Sequence, residues 1–171
     1  MNSEIQTPEE RLARLERYVA KVDARMKEIE QEVKSGNINP LSEIEIQNQL
    51  SRLPELIAST GLELAHFRRA FNYAELDDDV ICARLWNEAN KKREELGLSN
   101  AKDREAYIKK HKDYIETKRH CIEWKYNLER MTIIYERYQN LFVAVRKLAS
   151  LAQENYKAQD DYVKYNREVG M

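Results

Sequence analysis

Arg68 and Arg69 come nearest to chemistry in this sequence, set between Phe67 and Phe71 with Tyr73 just beyond. Guanidinium groups beside aromatic rings suit a binder of single-stranded nucleic acid: the cation follows the phosphates and the ring stacks on a base. A second basic set comes later. Lys91, Lys92 and Arg93 are succeeded by Lys109, Lys110 and Lys112, then by Lys118 and Arg119. Lys112 and Arg119, seven apart, share a helical face and could track a phosphate backbone. Both sets also have a plainer explanation. Phe67 and Phe71 stand four apart, as core residues of a helix do, which leaves the arginines bordering a solvated face. Asp113 and Glu116 interrupt the lysines, as they would on an ordinary salt-bridged surface.

Other chemistry finds no footing. Four glycines cannot build a phosphate-cradling loop, and no Ser-His-Asp set is identifiable. His66, His111 and His120 are isolated. His120 adjoins Cys121, but adjacent residues on a helix point about 100° apart, whereas helical metal sites use i, i+3 or i, i+4 spacing. The expectation is therefore a protein that is not an enzyme, with no catalytic residue, no cofactor and no metal. Cys82 and Cys121 are far apart in the chain and lie in helical pattern, which reads as two buried thiols of a reducing compartment. No apolar run approaches the roughly 18 residues that suggest a membrane span. Met1-Asn2-Ser3-Glu4 lacks the charged-then-apolar order of a signal peptide. A cytoplasmic protein with no membrane partner is expected.

The elements that would position these residues are helices. The 171-residue chain has only four Gly and three Pro, with 35% charged residues, a composition for long helices and few turns. Thr7, Pro8 and Glu10 form an N-terminal start signal with a capping box. Behind it Leu12, Leu15, Val19, Val22, Met26, Ile29 and Val33 alternate three and four apart. A lone helix of this length is marginal in water, so the stripe needs a partner. Either the chain's own helices or a second copy could supply it. Ser35 to Pro40 stops this helix, and Ser42 with Glu45 reads as a second capping box opening a short helix through about Arg52. Pro54 either starts the next helix or kinks a continuous one. Gly97 ends that helix, and Ser99 or Asn100, with Asp103, caps its successor.

From Asn100 to about Tyr156 the sequence predicts one uninterrupted amphipathic helix. Leu128, Met131, Tyr135, Tyr138, Phe142, Val145, Ala149 and Ala152 carry its seam. A second stripe runs beside it, Ile108, Ile115 and Ile122, then Ile134, Leu141 and Leu148, so the helix should cover more than one neighbour. The short turn forces the two long helices antiparallel. The expected fold is all-α: an elongated antiparallel helical hairpin preceded by a coiled-coil-like N-terminal helix. Its segments would be 1–35 (heptad helix), 36–53 (linker and short helix) and 54–171 (hairpin, with its turn at 97–100 and a fraying tail from Gln159). Self-association would rest on Leu12, Leu15, Val19, Val22, Met26 and Ile29, with Tyr135, Tyr138, Phe142 and Val145.

Charge is unevenly spread around a net of −1. Residues 1–60 hold 8 Lys/Arg against 11 Asp/Glu, or −3, and residues 91–130 hold 12 against 8, or +4. The run Leu98-Ser99-Asn100-Ala101-Lys102-Asp103-Arg104-Glu105-Ala106-Tyr107-Ile108 follows an alternating acidic and basic helix. An aromatic-rich helix comes after it, closing with Ile134-Tyr135-Glu136-Arg137 and Val145-Arg146-Lys147-Leu148-Ala149. In this layout residues 54–153 resemble the UvsY-like recombination mediators of bacteriophages. The resemblance implies an oligomeric assembly of helical hairpins whose partners are single-stranded DNA, a RecA-like recombinase and a single-strand-binding protein. It would place the DNA-contacting segment on the first hairpin helix, where Arg68 and Arg69 stand. The N-terminal heptad helix is outside that family pattern. The same heptads also suit a protein-interaction module, such as an adaptor, an assembly chaperone or a phage-encoded inhibitor of a host system, or a virion structural component.

Overall fold

The chain is all-α. Its computed structural model describes residues 7–36 and 40–169, and among these it forms four helices and no strand: α1 (Pro8–Lys34), α2 (Pro40–Lys91), α3 (Ala101–Lys110) and α4 (Lys112–Val169). They make up two compact units. One joins the residues up to Leu62 with those from Ile133 onward, and the other is Glu63–Thr132. The expected segments 1–35, 36–53 and 54–171 follow the chain, whereas these units cut across it, because α2 and α4 each run through both.

In the first unit α1 begins where its start signal predicts. The Glu10 amide donates to Thr7 Oγ1 (3.2 Å) and the Thr7 amide to Glu10 Oε2 (3.0 Å). The second predicted capping box does not form. Ser42 and Glu45 lie inside α2, and both reach across to α1 instead. Ser42 donates to Glu32 Oε2, and Arg25 makes two hydrogen bonds to the Glu45 carboxylate, at 3.1 and 2.6 Å. A tertiary partner has taken each side chain that local pattern assigned to a cap. Residues 37–39 of the predicted linker lie outside the described residues.

Nor is there a break before Pro54: α2 is one helix of 52 residues with Pro54 inside it. Proline removes one helical hydrogen bond, but Ile46 and Leu53 before it and Thr60 after it are all buried, and their packing carries the helix through.

The α1 stripe packs inward. Leu12, Val19, Val22, Met26, Ile29 and Val33 are buried within the chain and Leu15 is half-buried. So are Tyr138 and Val145 of α4, with Tyr135 and Phe142 half-buried. The residues predicted to hold copies together are thus already covered in one copy. The rings of Tyr18 and Tyr138, 6.4 Å between centroids, set α1 against α4, and Tyr156 donates to Glu43 (3.0 Å), setting α4 antiparallel to α2.

Tyr138 gives this core a pH signature. Its ring is fully buried, no described group hydrogen-bonds its hydroxyl, and burial pushes its phenol up to about 12. An unfolded tyrosine ionises near pH 10, so the stability Tyr138 contributes is complete below that pH. It is lost as pH rises through about 12, an effect on the order of 3 kcal/mol for a shift of about two pH units. Tyr138→Phe should abolish this alkaline loss and gain up to about 1 kcal/mol at neutral pH by removing an unpaired buried hydroxyl. Urea unfolding at neutral pH and between pH 10 and 12 checks both.

In the second unit α2 and α4 run antiparallel. Phe67 meets Trp124 edge-on (5.9 Å between centroids), Asp78 meets Lys118, and Arg84 meets Asp113. Past Lys91 one more turn closes with Gly97 at φ +64, the Leu98 amide donating to Arg93 O (2.8 Å) and the Gly97 amide to Glu94 O (3.4 Å). That is the Schellman pattern, which needs a left-handed residue at this point. The expected turn at 97–100 is therefore its final part, and the whole connection spans 92–100. The Asn100–Asp103 capping box forms as expected, the Asp103 amide donating to Asn100 Oδ1 (3.0 Å).

The predicted uninterrupted helix from Asn100 is broken at His111, which is extended (φ −71°, ψ 136°). His111 ends α3 by donating its amide to Ile108 O (2.9 Å), and it starts α4 by accepting the Asp113 amide at Nδ1 (3.3 Å). The tail expected to fray is helical to Val169.

Candidate nucleic-acid interface

All the cations predicted to contact nucleic acid, from Arg68 to Arg119, fall in the second unit, but they do not form one patch. Arg69 and Lys91 share α2, 22 residues apart, which at 1.5 Å per residue separates them by about 33 Å. The turn-proximal set, Lys91 to Arg93 and Lys109 to Lys112, belongs to the far end.

Most of that set already has a carboxylate. Lys92 pairs with Glu88 at 3.0 Å, Lys109 with Glu105 at 2.7 Å and Lys112 with Glu116 at 3.6 Å, each one helical turn away, and Arg93 approaches Glu94 at 3.9 Å. Hydrogen bonds to Glu88 and Glu105 raise the Lys92 and Lys109 ammonium groups above their ordinary range, and the same bonds lower the two carboxyls. Pairs this exposed are weak, so they dilute the local field without abolishing it. Lys91, Lys110 and Arg119 are exposed and make no ion pair among the described residues.

Lys118 has a different role from the one expected. Its ammonium reaches 2.6 Å to Asp78 Oδ2, and that hydrogen bond raises the lysine above its usual range. Asp78 occupies a seam position of α2 with its side chain only 9% exposed, and its other oxygen has no partner among the described residues. Lys118 is therefore the counter-charge of a nearly buried acid. Lys118→Met should cost about 2 kcal/mol, below the value for a fully buried pair because the lysine is 42% exposed. The double change Lys118→Met with Asp78→Leu should recover most of it, and urea denaturation of both variants checks this.

Arg68 and Arg69 present the clearest surface. Both are exposed on α2. The Arg69 guanidinium lies 5.5 Å from the centre of the Tyr73 ring and donates to the Tyr73 hydroxyl at 3.1 Å, holding an exposed aromatic and a cation together. Phe67 and Phe71 have turned inward, the first buried and the second half-buried, so the aromatic available to a ligand is Tyr73. Arg68 makes no ion pair among the described residues. Sequence reasoning missed a similar pairing on α4, Arg130 over exposed Tyr126 at 5.6 Å, because nothing in the heptad pattern marks position 126.

The remaining groups are engaged elsewhere. Trp124 donates to His120 Nε2 at 2.9 Å. Cys82 and Cys121 are half-buried free thiols, both raised by burial. A groove of about 450 Å³ runs past Cys82, Trp86, Ile108 and Tyr114, its charged lining, Glu105 and Lys109, already joined as an ion pair. Among the described residues no three of His, Cys, Asp or Glu converge as metal ligands, and no helix is long and apolar enough to cross a membrane. In comparisons with protein-family models, with curated proteins and with solved structures, none matches this chain.

Proposed function

We propose that this chain is a UvsY-like phage recombination mediator, acting in the host cytoplasm as a homo-oligomer. It binds single-stranded DNA without strong sequence preference and assists assembly of a RecA-like recombinase filament on strands held by a single-strand-binding protein. The observation that carries this reading is the exposed Arg68–Arg69–Tyr73 cluster. One cation has no ion pair among the described residues, and the second lies over the ring of an exposed tyrosine. A single copy offers few phosphate contacts, so affinity would come from several copies engaging one strand. The role involves no catalytic step. The test is recombinase nucleation on a strand coated with single-strand-binding protein. A shorter lag in the presence of this chain supports mediation, and an unchanged lag opposes it.

A second reading has its own observation. Leu76, Val80, Ile115 and Ile122 are large apolar residues exposed on the second unit, which favours a helical protein-interaction module whose ligand is another protein. Affinity for single-stranded DNA separates the two, since an apolar docking module has no reason to bind the strand.

A further inference from the structure

Arg104 is a half-buried cation without an anion. It stands on α3, its guanidinium 5.5 Å from the centre of the Trp86 ring on α2. Among the described residues its buried Nε has no hydrogen-bond partner and the group makes no ion pair. A guanidinium drawn out of water without an acceptor is unfavourable until something supplies one. A carboxylate suits its planar fork best, because it accepts two parallel hydrogen bonds.

The arginine borders the groove of about 450 Å³ in the second unit. Trp86 belongs to both, and Ile108, in the groove wall, stands one turn past Arg104 on α3. The volume lies within the roughly 300–1,000 Å³ of small-molecule sites, and such sites pair apolar walls with a few polar groups. Here Trp86 and Tyr114 contribute rings, Ile108 an aliphatic wall, and Ala83 little bulk. Burial raises the Cys82 thiol, so that wall stays uncharged.

Charge gives the groove a direction. Glu105 and Lys109 answer one another at 2.7 Å, and Lys118 answers Asp78 at 2.6 Å. Asp103 is held in the α3 cap by the Ser99 hydroxyl and the Asn100 amide. Toward the Cys82 end Asp79 is exposed, with no ion pair among the described residues. It stands seven residues, about 10 Å, before Trp86 on α2. One end therefore attracts an anion and the other repels it.

We infer that this groove binds a small amphipathic monocarboxylate, an alkyl or aryl chain ending in one acid group. The acid pairs with Arg104 beside Trp86, and the apolar body runs along Ile108 and Tyr114 toward Cys82. A second carboxylate at the far end would meet Asp79, so the ligand carries only one. The site is separate from the Arg68–Arg69–Tyr73 surface, since Trp86 lies 17 residues, about 25 Å, along α2 from Arg69. It stands whether or not the chain binds DNA.

The test is calorimetric titration of the full-length chain, with tryptophan emission as a second readout because Trp86 is one of two tryptophans. The probes are octanoate and hydrocinnamate, with octanol and octylammonium as the neutral and cationic counterparts. Octanoate should bind saturably and about tenfold more tightly than octanol, and octylammonium should bind more weakly still. The tighter of the two acids tells whether the body is alkyl or aryl. Arg104→Gln should bring octanoate down to the level of octanol and leave octanol unchanged, a pattern that a merely structural arginine would not produce. Should that variant lose helix content, Ala83→Phe is the second probe. It fills the groove from an exposed position on α2 and should abolish binding of octanoate and octanol alike. Failure of both acids to bind, equal affinity for octanoate and octanol, a preference that survives Arg104→Gln, or binding that survives Ala83→Phe would each overturn the inference.

Discussion

Ile29→Ala should destabilise the first unit by about 3 kcal/mol, within the range for truncating a buried isoleucine and leaving a cavity. Ile29 has no exposed surface and sits in a stripe whose neighbours Val22, Met26 and Val33 are also buried. Little slack exists for the site to collapse. The size of the loss matters less than its independence from assembly. Were this stripe a seam between copies, the substitution would shift molecular mass and its cost would grow on dilution. With α1 packed on its own chain, the loss measured by urea unfolding should be the same over a hundredfold range of protein concentration, and the wild-type mass should be retained.

Replacing Arg68 and Arg69 together by Ala should weaken oligo-dT binding at low salt by at least tenfold and should lower the salt dependence. Each single-strand phosphate contact contributes about 0.7 to the slope of log affinity against log salt, so losing two should flatten it by about 1.4 per site engaged. Tyr73 also loses the cation stacked on it, so a base would meet a less ordered ring. The informative control is Lys92→Ala with Lys109→Ala. It removes the same formal charge from lysines already held by Glu88 and Glu105, and it should change binding much less. Equal effects from the two double variants would mean that charge alone, not the arginine–tyrosine cluster, attracts the strand.

Particular residues show why some of this was legible in the sequence. Thr7 with Glu10, and Asn100 with Asp103, cap their helices because the motif is complete within four residues and nothing distant competes. Ser42 and Glu45 have the same local form, yet Glu32 and Arg25, ten and twenty residues back, claim them once α1 folds over. The His111 break carries no glycine or proline signal; a histidine nitrogen accepting the Asp113 amide does the capping.

The candidate site divides the same way. Lys109 with Glu105 and Lys112 with Glu116 are four-residue pairs visible in the sequence, whereas Lys118 with Asp78 spans forty. Periodicity also identified the apolar stripes without saying which would be covered. Leu76 and Ile122 fit helical spacing as well as Leu85 and Met131 do, but the first two are exposed and the last two fully buried. Period describes a face, and only the number of neighbouring helices decides whether that face is dry.

The proposed binding of single-stranded DNA through exposed cations can be measured by fluorescence-anisotropy titration of labelled oligo-dT with the folded, full-length protein. Binding should be measurable at low salt and should weaken steeply, with a straight log–log slope, as salt rises toward physiological strength. No binding at low salt, from a sample with full helix content and a defined mass, would contradict the mediator reading and leave the protein-interaction module in its place.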